Sequence, residues 1–167
     1  MKEYNLWGNI LYEDIINNID FQSVIDYAYD WKSRSPGIEI SNKGGWHSNY
    51  YDDNHDEVDK LITTISEKTN LPVKLFWINI NPPGSSNVIH LHSHDGVGYV
   101  GSGVVYLRAK PGMGDIVFLK SATTGGREGY KKLSSETGKI YIFPSTMLHG
   151  VGKNRTDEDR ISVSFNF

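Results

Sequence analysis

Arg160-Ile161-Ser162-Val163-Ser164-Phe165-Asn166-Phe167 alternates without a break, with Arg, Ser, Ser and Asn at even positions and Ile, Val, Phe and Phe at odd ones. Successive side chains of a β-strand point to opposite faces, so this run has one wholly apolar face and one polar face. On a plain surface strand the polar face would meet solvent. In a small jelly roll with helices packed outside, it lines a ligand-holding interior instead. Further runs of β texture at 73–81, 88–92, 99–108, 114–120 and 138–143, split by Gly, Pro, Asn and Ser, supply the rest of such a body.

Upstream of these runs the period changes. Phe21, Val24, Ile25, Ala28 and Trp31 recur at helical spacing and stop before Pro36-Gly37. Val58, Leu61, Ile62 and Ile65 repeat the pattern behind the capping-type residues Asp53 and Asn54, and Asn70-Leu71-Pro72 closes it. The expected architecture is mainly β with flanking helices, an all-β body with the helices packed outside. It is read as one domain over 1–167, with a helical N-terminal part over about 1–72 and a jelly-roll core over about 73–167.

Composition excludes several functions. Seventeen Lys and Arg stand against 20 Asp and Glu, for a net charge of -3, whereas a duplex-binding surface advertises itself by clustered basic residues. Nucleic acid is therefore not the expected partner. With no cysteine, neither a disulfide scaffold nor a thiolate metal site can form, so any metal must sit on His, Asp or Glu. The N-terminus lacks the basic-then-apolar layout of a signal peptide and no run reaches membrane-spanning length, so a cytoplasmic protein is expected.

Three of the six histidines fall within Ile89-His90-Leu91-His92-Ser93-His94-Asp95. On a strand, residues i and i+2 share a face, so His90 and His92 can aim at one point, with a third ligand from elsewhere. His149 is the candidate, following the apolar stretch 142–148 and preceding Gly150. A lone histidine there would ordinarily be a satisfied core or surface residue; the cluster and a nearby arginine favour a ligand. His92 with His94, or His90 with Asp95, are the competing first pairs. His47 and His55 are read as solvated surface residues.

Arg160 lies eleven residues beyond His149, on the polar face of the last strand. A guanidinium in a pocket pairs bidentately with a carboxylate, and the hydroxyl of Ser162 can donate to the same group. The competing reading is a surface ion pair with the acidic stretch 157–159, worth little energetically. Trp46, Tyr50 and Tyr51 can line an entrance, although aromatic residues in such loops more often cover the core.

Taken together, Asn79-Ile80-Asn81-Pro82-Pro83-Gly84, His90-Leu91-His92, Ser102-Gly103-Val104-Val105-Tyr106-Leu107, Phe143-Pro144-Ser145 leading to His149, and Arg160-Ile161-Ser162-Val163-Ser164-Phe165-Asn166 resemble small bacterial and phage 2-oxoglutarate/Fe(II)-dependent oxygenases of the prolyl-hydroxylase-like superfamily. Ser41-Asn42-Lys43-Gly44-Gly45-Trp46 resembles the same branch. The resemblance implies a double-stranded β-helix (jelly roll, cupin-like), with His90, His92 and His149 as metal ligands and Arg160, assisted by Ser162, as the residue for the distal carboxylate of 2-oxoglutarate. It implies Tyr106 as a second contact to that carboxylate. Asn79, Asn81 and Asn87 are weaker candidates, since asparagines beside Pro and Gly need no catalytic explanation. One departure stands out: the broader superfamily uses two histidines and a carboxylate, whereas His92 occupies the position of the acid.

The implied activity uses Fe(II), 2-oxoglutarate and O2 to hydroxylate an unactivated carbon, on a peptide or protein side chain or a small molecule. Two alternatives stay open at the level of sequence. One is a cupin-type three-histidine metalloprotein that does not use 2-oxoglutarate; the other is a non-enzymatic phage or bacterial accessory protein.

Overall fold

A computed structural model describes residues 1–49, 51, 54–92, 98–121 and 129–167. His94 and Asp95, the alternative ligands, lie outside the described residues, as do Tyr50 and Asp53.

The described strands form two facing antiparallel sheets, the mainly β architecture expected from sequence. Strands β1 (Lys2–Leu6), β2 (Asn9–Ile15), β4 (Trp46–His47), β5 (Leu75–Asn81), β7 (Gly101–Arg108), β10 (Lys139–Pro144) and β12 (Arg160–Asn166) make a seven-stranded sheet in the order β1-β2-β10-β7-β12-β5-β4. Strands β3 (Asn42–Lys43), β6 (Ser86–His90), β8 (Ile116–Leu119), β9 (Tyr130–Leu133) and β11 (His149–Val151) make a five-stranded sheet in the order β3-β6-β11-β8-β9. Apart from the β1-β2, β4-β5 and β8-β9 pairs, neighbours in each sheet are not consecutive strands, as a jelly roll requires.

The last strand resolves its two faces as the jelly-roll reading requires. Ile161, Val163, Phe165 and Phe167 are buried in one apolar cluster with Ile78 and Ile80 of β5 and with residues of helices α1 (Phe21–Arg34) and α2 (Asp56–Thr69). Arg160, Ser162 and Ser164 point the other way, into a cavity between the sheets. Each helix contributes an apolar stripe: Val24, Ile25, Ala28 and Trp31 from α1, and Val58, Leu61 and Ile65 from α2. Burial of each such aliphatic side chain contributes about 1.5–3 kcal/mol, which anchors the helices to the outer face of the large sheet. Asp20 caps α1 by accepting from the Ser23 N–H at 3.1 Å. For α2 the cap differs from expectation, because His55 is the N-cap and makes no side-chain capping bond; acidic Asp56, Glu57 and Asp59 in the first turn favour the positive end of the helix dipole instead.

The N-terminal part is not purely helical, because β1 and β2 form a hairpin that extends the large sheet through pairing of β2 with β10. Trp7 (φ 55°) and Gly8 (φ 86°) make its two-residue turn, both with the positive φ that such tight hairpins demand. Two other local readings, those of His47 and His55, are corrected. His47 is buried rather than solvated, because β4 pairs with β5 and its ring stacks on Trp77 with centroids 5.3 Å apart. His55 is half-buried, its ring against Tyr27 at 4.6 Å. Trp46 is a core residue, packed edge-on to Trp31 and donating from Nε1 to the Ser35 carbonyl at 3.0 Å, and Tyr51 packs against the same cluster.

Candidate metal centre and anion pocket

β6 and β11 are hydrogen-bonded neighbours, and His90 pairs directly with His149 across them. Strand pairing therefore sets the distance between two imidazoles that stand far apart in sequence. β6 ends at His90, so His92 is not on the strand as the i, i+2 argument assumed; its backbone N–H instead donates to the Ser145 carbonyl at 2.9 Å. The outcome is the same convergence, with ligand atoms of His90, His92 and His149 all within 4.8 Å of one another and Nε2 of His90 3.1 Å from Nε2 of His92. Imidazole nitrogens held at about 2.0–2.1 Å from one ion and at right angles stand about 3 Å apart.

The outer ring nitrogens explain the orientation. His90 Nδ1 donates to Val88 O at 2.8 Å, His149 Nδ1 to Met147 O at 2.8 Å, and His92 Nδ1 to Asn166 Oδ1 at 2.7 Å. These are oxygen acceptors, so each neutral ring carries its proton on Nδ1 and presents its Nε2 lone pair to the common point. Three lone pairs so close repel one another unless a cation sits among them, and the donor set suits iron. Burial, together with the neighbouring His90 and His92, brings His149 down to about 3, so its ring is neutral at physiological pH and ready to ligate.

Asn166 passed unnoticed in the sequence except as one more polar residue of the alternation. Its Oδ1 accepts from both His92 Nδ1 and Ser102 Oγ, each at 2.7 Å, an arrangement that fixes the tautomer of a ligand from behind. Asn166→Leu should therefore weaken metal binding by about 10–100-fold, the usual effect of losing such a partner. Competitive titration of Zn(II) or Co(II) against a chromophoric chelator checks this, and an unchanged affinity would remove Asn166 from the centre.

Arg160 is 1 % exposed. Its Nη1 donates to the carbonyls of Met113 and Gly114 at 3.0 and 2.9 Å, and Nη2 reaches Asn87 Oδ1 at 3.3 Å, while Nε is buried without a partner. The surface ion-pair reading fails, since Glu158 pairs with Lys110 and Asp159 accepts from Tyr29. Among the described residues no carboxylate forms an ion pair with this guanidinium. Burial pulls it below its ordinary value, with Tyr106 and Asp115 acting against that, yet an arginine stays protonated in proteins. Tyr106, paired with Ser162 across β7 and β12, has a buried hydroxyl that also lacks a partner. Burial pushes that phenol up to about 12, so it remains a donor.

These groups share one cavity with His90, His92 and His149, and Ser162, Asn79 and Asn87 line it too. Of the weaker asparagine candidates, Asn87 thus touches the guanidinium, and Asn79 donates to Ser164 Oγ at 3.1 Å. A buried cation with an idle donor and a phenol with nothing to donate to, beside a convergent imidazole triad, together suit a small dianion.

Gly114 makes this arrangement possible. At φ +92° a side chain is strained, and a Cβ there would stand 2.0 Å from Gly152 O and 2.9 Å from Arg160 Nη1. Gly114→Ala should cost on the order of 3 kcal/mol from the left-handed backbone and the clash combined. Chemical denaturation of the metal-free protein measures it, and a loss under about 0.5 kcal/mol, the range of ordinary surface changes, would show that this loop is free to shift.

Residues 75–166, more than half of the chain, match the family described as "Putative 2OG-Fe(II) oxygenase". The chain belongs to that family and is a 2-oxoglutarate-dependent oxygenase, with iron and 2-oxoglutarate as its cofactor and cosubstrate. No curated protein sequence matches it. Among solved structures it is similar to a Pseudomonas putida prolyl-4-hydroxylase, at 16% identity and TM-score 0.64 over 93% of this chain and 91% of that one. A viral collagen prolyl hydroxylase from Paramecium Bursaria Chlorella virus-1, in its 2-oxoglutarate complex, gives 15% identity and TM-score 0.66 over 93% and 94% of the two chains. The carbocyclase SnoK from nogalamycin biosynthesis gives 9% and 0.72 over 98% and 80%. At such identities these likenesses show the fold, here the double-stranded β-helix. Family membership selects the oxygenase over the two alternatives left open by the sequence. Among the described residues, no helix is long and apolar enough to cross a membrane.

Proposed function

We propose that the protein hydroxylates an unactivated carbon on a peptide or protein side chain, with His90, His92 and His149 holding iron(II) and Arg160, Tyr106 and Ser162 holding the distal carboxylate of 2-oxoglutarate. Bound iron with 2-oxoglutarate and O2 supplies the oxidising power, so that one oxygen atom enters the substrate C–H bond as C–OH and the other enters succinate, with release of carbon dioxide. The protein's own residues do the positioning. Arg160 supplies the charge that a dianion needs, and its anchoring to two carbonyls and an amide keeps the fork fixed before the cosubstrate arrives. Tyr106 stays protonated and donates to the same carboxylate. Phe143 and Phe118 pack on the ring of His149 at 4.6 and 6.1 Å and keep water from its outer side.

The observation that carries this reading is the fully buried, carboxylate-free guanidinium beside a partnerless phenol in the cavity of the imidazole triad. Anaerobic addition of Fe(II) and 2-oxoglutarate tests it. A visible charge-transfer band that needs both additions supports the assignment, whereas a spectrum indifferent to 2-oxoglutarate refutes it.

A further inference from the structure

A second cleft adjoins the histidines, lined by His90 and His92 but not by His149. Ile38, Ile40, Leu75, Trp77, Leu91 and Tyr99 supply most of its wall, and His90 and His92 form part of its floor. Trp77, His90, His92 and Ser41 line both this cleft and the cavity of Arg160, so the two spaces meet at the imidazoles. Their chemistry is opposite. The Arg160 cavity holds a buried cation, whereas none of the described residues lining the second cleft is Asp, Glu, Lys or Arg. A charged group buried there would lose its hydration without gaining a partner, a penalty of several kcal/mol that an uncharged group escapes. Apolar surface would gain, and Ile40, 61% exposed at this wall, is the sort of uncovered residue that a ligand shields.

Trp77 sits at the junction. Its indole stacks on His47 at 5.3 Å and 8°, and its other neighbour is the ring of His92 at 5.4 Å. The stack makes a rigid flat wall beside a metal ligand, which is the position from which a side chain can set how a substrate carbon approaches the metal.

We propose that this cleft receives the primary substrate through an uncharged, predominantly apolar group, an aliphatic side chain carried on an amide backbone, with Trp77 as the residue that selects it. The inference rests on the peptide-hydroxylase reading above and adds what that reading leaves open, namely which side chains are accepted. Charge sorts the two occupants, the dianionic cosubstrate going to Arg160 and the neutral hydrocarbon to the cleft.

The probes are N-acetyl-leucine, N-acetyl-lysine and N-acetyl-glutamate methylamides, followed by NMR on the whole chain. In metal-free protein the leucine probe should shift the Trp77 indole N–H resonance, identified by its loss in Trp77→Phe. The lysine and glutamate probes should bind roughly tenfold more weakly or worse. With Mn(II) and 2-oxoglutarate added, the methyl signals of the leucine probe should broaden through the nearby paramagnetic ion. Trp77→Ala should weaken the leucine probe, and because that change also removes a neighbour of His92, Ile40→Lys serves as the second variant. It alters an exposed wall residue and should turn the preference toward the glutamate probe. Equal binding of all three probes, an unmoved Trp77 resonance, or a broadening-free leucine probe on the Mn(II)-loaded protein each overturns the proposal. Failure of Mn(II) and 2-oxoglutarate to bind together, with the Trp77 resonance still moved selectively by the leucine probe, would instead sink the oxygenase assignment of the histidines and leave the cleft's preference standing.

Discussion

Arg160→Ala abolishes the response to 2-oxoglutarate while iron still binds. The guanidinium is buried, and removing one partner of a buried charge-assisted pair costs about 2–5 kcal/mol, which is roughly 30-fold to several thousandfold in cosubstrate affinity. The charge-transfer band disappears, and 2-oxoglutarate no longer raises the thermal midpoint of the metal-loaded protein. Arg160→Lys separates charge from shape, because an ammonium keeps the charge but cannot span Met113, Gly114 and the ligand at once. It should recover part of the affinity and none of the fixed geometry. A wild-type response to 2-oxoglutarate in Arg160→Ala would show that the dianion binds elsewhere.

His149→Ala removes metal binding altogether. An ion at a hundred times its dissociation constant stabilises a protein by about 2.7 kcal/mol, and for a chain of this size that is roughly 5–10 °C in thermal midpoint. In the variant the midpoint should be the same with Mn(II) or with chelator. The alanine also leaves a small cavity beside Phe143 and Phe118, so the metal-free midpoints of the two proteins give the baseline from which the metal effect is read. Persistent metal-dependent stabilisation in His149→Ala would mean that two imidazoles suffice or that another residue completes the set.

The parts of the site that were legible in sequence are those whose chemistry is costly elsewhere. Histidines clustered at 90 and 92 and repeated at 149, with an arginine on the polar face of an alternating strand, need a reason to face the interior, and the jelly roll gives all four the same reason. The two helices were equally legible, because Val24, Ile25, Ala28 and Trp31, and Val58, Leu61 and Ile65, repeat at a period that only a helix buries on one side. The N-terminal hairpin was not. Its strands mix charged and apolar residues with half-exposed faces, and its turn is Trp7-Gly8 where Asn-Gly or Asp-Gly would have announced it.

Asn166 and His47 were missed for a different reason. An amide at the end of an alternating strand reads as one more polar residue of the inner face, and its contact with His92 depends on a fold that brings positions 74 residues apart together. His47 is buried only because the two-residue β4 pairs with β5, and so short a strand leaves no period to detect. Strand-end geometry was hidden as well: the pair His90 and His92 was inferred from strand alternation, yet only His90 is on the strand.

The hairpin has an effect beyond completing the sheet. β10 carries Ile140, Tyr141, Ile142 and Phe143, all buried, and without β2 beside it that apolar strand would end the sheet with a bare row of backbone donors and acceptors. Such a rim recruits other chains and seeds aggregation. Here β2 covers that strand and β1 lies beyond it, with Lys2 and Glu3 exposed to water, so the first fifteen residues give the apolar β10 a charged selvage.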